Sequence, residues 1–349
     1  MELEKNLNEI KEDDSDGNLW VVLAAGSSGW YNYRHQADVC HAYQIVRSHG
    51  VPDERIVVFM KDDIAYNEDN VNQGVIINKP NGTNVYKGVP KDYTGNNLNA
   101  TIFLDVLSGK DIKVGSRKTL KTGANDRIFV YFADHGGPGI SEFGEGMLYA
   151  INLSSTIEQM WKNNQYKEMV LYWESCHSGS MFQNFLPDDI NVYALSASSP
   201  NESSYACYLD EKIHNYLGDC FSVHWMEDAD IENLRDETLF IQYLITKYET
   251  NTSQVEQWGS VLKMDREKMA TYLGSRNTGG QKYFDTAMIK LKQDKNMRPV
   301  EQADVALEIL KLKMENTNGI QEMTKIENDL YAMQSNREIM TGTIQKIIS

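Results

Sequence analysis

Two apolar runs, Arg127 to Phe132 and Met169 to Trp173, each break off into a short segment that carries a reactive side chain close to glycine. These segments are Phe132-Ala133-Asp134-His135-Gly136-Gly137 and Glu174-Ser175-Cys176-His177-Ser178-Gly179. Apolar runs of this length bounded by turn residues read as strands. Two such strands lying parallel and adjacent would release their outgoing loops at one edge of a sheet, the edge where open α/β folds do chemistry. A thiol near an imidazole is activated as a nucleophile, and the glycines after His135 leave the backbone open to an approaching carbonyl. The pair therefore predicts a cysteine-nucleophile acyl-transfer enzyme. Neither residue carries that reading alone, because a lone Cys at a strand end is usually a small buried hydrophobe and a lone His a hydrogen-bonded structural residue.

The rest of the chain supplies the sheet. Leu19 to Ala25 reads as a buried first strand followed by the turn Gly26-Ser27-Ser28-Gly29, His35 to His49 as a helix stopped by Gly50-Val51-Pro52, and Arg55 to Met60 as a second strand. Asn99 to Leu107 and Ser154 to Asn163 read as helices, Arg127 to Ala133, Lys167 to Trp173 and Asn191 to Ala197 as strands, and Glu232 to Thr250 as a helix. This alternation predicts an α/β fold with a mostly parallel sheet and helices on both faces. Residues 61–97 show no period and are dense in Asn, Gly, Asp and Pro, the pattern of a functional loop. Four segments are expected: an N-terminal propeptide or disordered leader over 1–17, a catalytic α/β domain over 18–274, a Gly-, Asn- and Lys-rich linker over 275–299, and a C-terminal helical segment over 300–349 with amphipathic helices at Val300 to Met314 and Gly319 to Ile348.

Composition excludes more than it assigns. With 50 acidic against 34 basic side chains the formal net charge is -16, which argues against a nucleic-acid partner. Cys40, Cys176, Cys207 and Cys220 are too few and too scattered for a disulfide framework, and no CxxC pair suggests zinc, so neither metal nor cofactor is expected. No apolar run is long enough to span a membrane, and the charged stretch Met1 to Gly17 lacks the apolar core of a signal peptide. Five Asn-x-Ser/Thr sequons, at Asn81, Asn99, Asn152, Asn201 and Asn251, nonetheless point to a secretory protein whose leader is missing from this chain. The Gly26–Gly29 turn lacks dinucleotide spacing, and no GxSxG elbow occurs.

A His that precedes its Cys by several tens of residues is the order of caspase-like proteases, whereas papain-like enzymes place Cys first. The chain resembles, more closely, the legumain family of caspase-like cysteine peptidases, the asparaginyl endopeptidases or vacuolar processing enzymes. The matching segments run from Ala25 through Gly29 to Asp38, from Tyr131 to Gly139, and from Glu174 to Met181. Others are Glu202-Ser203-Ser204-Tyr205-Ala206, Leu217-Gly218-Asp219, and Trp225-Met226-Glu227-Asp228.

The resemblance implies a caspase-like fold, with Cys176 as nucleophile, His135 as general base and Asn32 steering its imidazole. The backbone N–H groups of Gly136 and Cys176 would stabilise the oxyanion. It implies a specificity (S1) pocket of Arg34, His35, Glu174, Ser203, Ser204 and Asp219 reading Asn, and Asp once acid protonates it. It further implies a self-processing zymogen with cleavage sites at Asn316 and Asn318, a helix from Gly319 lying across the cleft, and a possible aspartimide at Asp134. Protein substrates, cystatin-type inhibitors and a lysosomal, vacuolar or secreted location are implied by the same likeness. The thioester could alternatively be captured by an amine, giving a peptide ligase. A GPI-transamidase branch would call for an anchor, and an inactive binding homologue would not keep the whole set. Two departures from the family pattern stand out: His177, a cation expected to lower the Cys176 pKa, and Cys220, a second thiol expected near the pocket.

Overall fold

The computed structural model describes residues 17–276 and 297–348. The expected leader over 1–17 and linker over 275–299 therefore lie almost wholly outside the described residues. The central sheet holds β1 (Leu19–Ala25), β2 (Ile56–Phe59), β3 (Arg127–Ala133), β7 (Glu168–Glu174), β8 (Val192–Ser196) and β11 (Glu256–Gly259), in the order β11-β8-β7-β3-β1-β2. All neighbours pair in parallel except the edge strand β11, which runs antiparallel to β8.

The two-residue period of the strands divides the interior into two cores. Val21, Leu23, Phe129, Tyr131, Val170 and Tyr172 face one side, where they meet α1 (Tyr33–Ser48) and α4 (Cys220–Ile231). Val22, Ala24, Ile128, Val130, Leu171 and Trp173 face the other, against α2 (Ala100–Leu107) and α3 (Ala150–Lys162). Helices thus cover both faces of a mostly parallel sheet.

Three short strands, β4 (Gly136–Gly137), β5 (Ile140–Phe143) and β6 (Gly146–Tyr149), form a small sheet directly after His135. A second small sheet joins β9 (Tyr205–Asp210), β10 (Asn215–Asp219) and β12 (Val300–Glu301) in the order β10-β9-β12.

Two expected helices are corrected. The expected helix over Glu232 to Thr250 starts only at α5 (Leu239–Glu249), whose first turn is capped by Thr238 Oγ1 accepting from Ile241 N–H, and an unexpected helix, α4, ends just before it at Ile231; two single-turn helices, α6 (Val261–Met264) and α7 (Ala270–Leu273), follow. Residues of α4 are buried around its whole circumference, so no one-sided apolar stripe marks it in the sequence. The expected helix over Val300 to Met314 starts instead as an extended strand and a 3₁₀ turn (Gln302–Asp304), and α8 (Val305–Asn316) succeeds them. The final helix, α9 (Ile320–Ile348), packs chiefly against α8.

Candidate active site

Three neighbouring strands, β1, β3 and β7, end at the same edge. After β1 the chain turns through Gly29, whose φ of 83° favours glycine, into the 3₁₀ turn Trp30–Asn32 and then α1. Asn32 is fixed there by its own N–H donating to Gly29 O at 3.0 Å and by Nδ2 donating to Ser28 O at 2.9 Å. With Nδ2 committed to a carbonyl, Asn32 Oδ1 is the acceptor, and His135 Nε2 lies 2.8 Å from it. The hydrogen of His135 therefore sits on Nε2 and the lone pair on Nδ1.

Register brings the two segments side by side. Ala133 pairs with Glu174, and Asp134 N–H continues the ladder to Glu174 O at 3.1 Å, so His135 and Cys176 emerge at the same level on adjacent chains. The two segments touch at Gly136, where a Cβ would collide with Cys176 O and approach Ser175 Oγ to 2.8 Å. At 9% exposure Cys176 is the most accessible of the four cysteines; the others lie between 0 and 2%. Its Sγ rests 3.9 Å from Ser204 O.

Burial pushes the Cys176 thiol up, and burial followed by the Arg34 charge pulls His135 down to about 3. The covered site therefore holds a neutral thiol and a neutral imidazole. The lowering expected from His177 is not found: its Nδ1 lies on Pro200 O at 3.1 Å, in a left-handed backbone with φ 55°. Cys220 is buried, with Sγ directed to Ala206 O at 3.7 Å.

Beside this pair lies a pocket lined by fully buried charge. Arg34 and His35 come from the first turn of α1, Glu174 from the end of β7 and Asp219 from the end of β10, each 0% exposed. Arg34 Nε donates to Asp219 Oδ1 at 2.8 Å and Nη1 to Tyr31 O at 3.0 Å. Glu174 Oε2 accepts from Ser222 N–H at 3.1 Å and Oγ at 3.0 Å in the first turn of α4. Burial, then the Asp219 charge, raises the Glu174 carboxyl to about 8. Ser27 Oγ lies 2.6 Å from His35 Nδ1, while His35 Nε2 stands 3.5 Å from Asp219 Oδ2 and the ring packs edge-on against His135. Ser204 lines the pocket, whereas Ser203 is half-buried and donates to Glu301 Oε2 at 3.3 Å, at the rim.

Asp134 is buried, accepts His135 N–H on Oδ1 at 2.6 Å, and is held well above the usual carboxylate range by burial. Among the described residues, His35, Asp134 and His135 are the one group of three whose donor atoms lie within 4.8 Å of one another. His35 Nδ1 and His135 Nε2 are already engaged by Ser27 and Asn32, so the group reads as part of this site.

The pocket is occupied by a residue that sequence reasoning missed. β12 pairs antiparallel with β9, Val300 opposite Ala206 and Glu301 opposite Tyr205, and Gln302 N–H continues the ladder to Ser204 O at 3.1 Å. The Gln302 side chain, 2% exposed, enters the charged pocket. Its Nε2 donates to Ser204 Oγ at 2.9 Å and lies 3.4 Å from Glu174 Oε1, while its Oε1 stands 3.4 Å from Arg34 Nη2. The one available signal was Pro299, which disfavours helix in the residue before it and suggests an extended entry to Val300. Downstream, Val305 and Ile309 of α8 pack on Ala206 and Tyr216. Asn316 is the last residue of α8 and Asn318 lies in the succeeding loop, both exposed.

The chain matches the model of the Peptidase C13 family over residues 19–275. It is 47% identical to legumain of Homo sapiens over 343 residues, which cover 97% of this chain and 77% of the relative. It is 39% identical to the vacuolar-processing enzyme delta-isozyme of Arabidopsis thaliana over 361 residues, 98% of this chain and 77% of the relative. A crystal structure of caspase-1 from Spodoptera frugiperda superposes with a TM-score of 0.40 at 8% identity, over 67% of this chain and 77% of the other. No helix among the described residues is long and apolar enough to cross a membrane. The chain belongs to the Peptidase C13 family and is a cysteine endopeptidase acting on peptide or protein substrates.

Proposed function

We propose that this peptidase cleaves after Asn, that Cys176 and His135 carry the chemistry, and that residues from Val300 onward hold it latent. The observation that carries the reading is the Gln302 carboxamide in the charged pocket. A carboxamide offers one acceptor and one two-hydrogen donor, and the pocket answers with a guanidinium on the acceptor side and Ser204 and Glu174 on the donor side. An Asn side chain carries the same head group. A substrate lacking it would leave buried polar groups unpaired, and sites of this kind reject such analogues by roughly 10⁴-fold. A protonated Asp resembles Asn in shape, so cleavage after Asp rises as pH falls.

In the reaction His135 Nδ1 takes the Cys176 proton and later delivers it to the leaving amine. The thiolate attacks the scissile carbonyl, and water hydrolyses the resulting thioester. The backbone N–H groups of Gly136 and Cys176 supply oxyanion stabilisation, each such donor being worth about 3 kcal/mol of barrier. Asn32 fixes the tautomer. The His135 N–H contact with the buried Asp134 carboxyl supports ring closure to an aspartimide with loss of water. Asn316 and Asn318, exposed at the end of α8 and beyond it, are the proposed self-cleavage sites. Exposure of all five sequon asparagines supports a glycosylated protein of the secretory pathway, in a lysosome or vacuole or outside the cell.

Incubating the chain at falling pH and mapping its own fragments by mass spectrometry tests this. Cuts after Asn316 or Asn318, absent in Cys176→Ala and kept in Cys220→Ala, are expected. Fragments ending at basic residues, or an active Cys176→Ala, would refute it.

A further inference from the structure

Behind the pocket a string of buried polar groups, unused in peptide cleavage, runs out to the surface. Asp38, one turn beyond Arg34 on α1, is 0% exposed. Its Oδ2 accepts the Asp219 N–H at 3.3 Å and its Oδ1 accepts Asn78 Nδ2 at 2.7 Å. The same Nδ2 donates its second hydrogen to Leu217 O at 2.9 Å, and Asn78 Oδ1 meets His41 Nδ1 at 2.8 Å. His41 Nε2 in turn meets Asp230 Oδ2 at 3.1 Å, on a side chain that is 40% exposed.

Every polar atom of the Asn78 side chain is thus engaged. Nδ2 gives both hydrogens to oxygens, so Oδ1 must accept and His41 Nδ1 must donate. Gly218 makes the approach possible: a Cβ there would stand 2.9 Å from Asn78 Nδ2 and 3.0 Å from Asp38 Oδ1. Asn78 comes from the irregular 61–97 segment, and its 3% exposure shows that segment reaching into the wall of the pocket.

We propose that Asp38, Asn78 and His41 are positioning residues of the specificity pocket, clamping Leu217 to Asp219 of β10 so that Asp219 stays on Arg34 and the pocket admits a neutral carboxamide. The clamp rests on the amide-directed reading of the pocket. Asp219 neutralises Arg34 only through the single 2.8 Å contact at its Oδ1. If β10 drifts, the guanidinium loses its partner and becomes a binding site for a carboxylate. Slackening the clamp therefore erodes discrimination between Asn and Asp, whereas a merely structural role would lower activity on both substrates alike.

The test compares kcat/KM for two peptides differing only in Asn or Asp at the cleavage position, at a pH of about 6 where the Asp side chain is ionised, for acid-activated wild type, His41→Leu and His41→Gln. The leucine deletes the donor to Asn78; the glutamine amide restores one. In His41→Leu the Asn-over-Asp ratio is expected to fall about tenfold, equivalent to about 1.4 kcal/mol. Most of that loss should lie in KM for the Asn peptide, with kcat held within about twofold, and His41→Gln should restore it. An unchanged ratio, or equal losses on both peptides that glutamine does not restore, overturns the clamp. A wild-type ratio near one overturns the amide-directed reading itself and the clamp with it. Should His41→Leu fail to fold, Asp230→Asn at the exposed end is expected to shift the ratio the same way by about two- to threefold, and no shift overturns the proposal.

Discussion

Replacing Gln302 with alanine removes the carboxamide from the pocket but keeps the backbone pairing of β12 with β9. The lost interactions are one well-formed hydrogen bond, Nε2 to Ser204 Oγ at 2.9 Å, and two longer contacts of 3.4 Å to Glu174 and Arg34. A net hydrogen bond is worth about 0.5–1.5 kcal/mol, and the one buried methylene that alanine lacks, Cγ, adds about 0.8 kcal/mol. Water entering the vacated pocket would re-solvate Arg34 and Glu174 and return part of this. The segment's hold on the site should therefore weaken by about 1–3 kcal/mol, which multiplies the open fraction by about 5- to 150-fold. Alkylation of Cys176 by iodoacetamide at acid pH reads that fraction if opening and closing are fast. Peptide mapping tracks all four thiols, and Cys40, Cys207 and Cys220, each at most 2% exposed, report global unfolding. Faster labelling confined to Cys176 is the expected result. An unchanged rate in a variant of unchanged melting temperature would refute gating by Gln302, and a parallel rise at all four cysteines would show unfolding instead.

The same geometry sets three further outcomes. Asn32→Ala frees the His135 ring and should lower kcat about 100-fold with KM little changed, measured on an Asn peptide; a loss confined to KM would place Asn32 in binding instead. Thermal stability should peak in mildly acid solution: Glu174 is raised to about 8 and Asp228 and Glu249 to about 7, chiefly by burial, so their contribution is complete below the ordinary carboxyl range and is lost as pH climbs through 7 to 8. His135 and His224, lowered to about 3 and about 4 by burial, erode stability on the acid side as pH falls below 6.5; a melting temperature still rising at pH 8 would contradict the carboxyl assignment. Cleavage after Asp should grow relative to cleavage after Asn as pH drops toward the side chain's own titration, and a flat ratio between pH 4 and 7 would mean the pocket does not sense that charge.

The sheet and the convergence of its loops were legible because both rest on local pattern. Arg127–Ala133 and Glu168–Glu174 are buried on both faces and read as continuous apolar runs, and parallel neighbours must release their loops at one edge. α4 was illegible because burial around its circumference leaves no helical stripe. The adjacent serines 203 and 204 were both expected in the pocket, yet successive residues of extended chain point to opposite sides, and only Ser204 reaches it. Gln302 could not be found locally at all. Its partner Ser204 lies about a hundred positions away, and antiparallel addition to β9 leaves only a two-residue strand as a trace.

Why this position holds Gln rather than Asn is a matter of length. Both carry the same carboxamide, so either satisfies Arg34, Ser204 and Glu174. The backbone here is independently anchored, since Gln302 N–H pairs with Ser204 O and Val300 with Ala206. With the head group fixed by the pocket and the amide by the strand, the extra methylene of Gln must be absorbed between them, displacing the next carbonyl from where an Asn would present it to Cys176. A displacement of about 1 Å is enough to cost about 100-fold in an oriented reaction. Gln302 thus takes the recognition energy of a substrate while withholding the geometry of one, and the proposed self-cleavage sites, the exposed Asn316 and Asn318, lie downstream of the segment that closes the pocket.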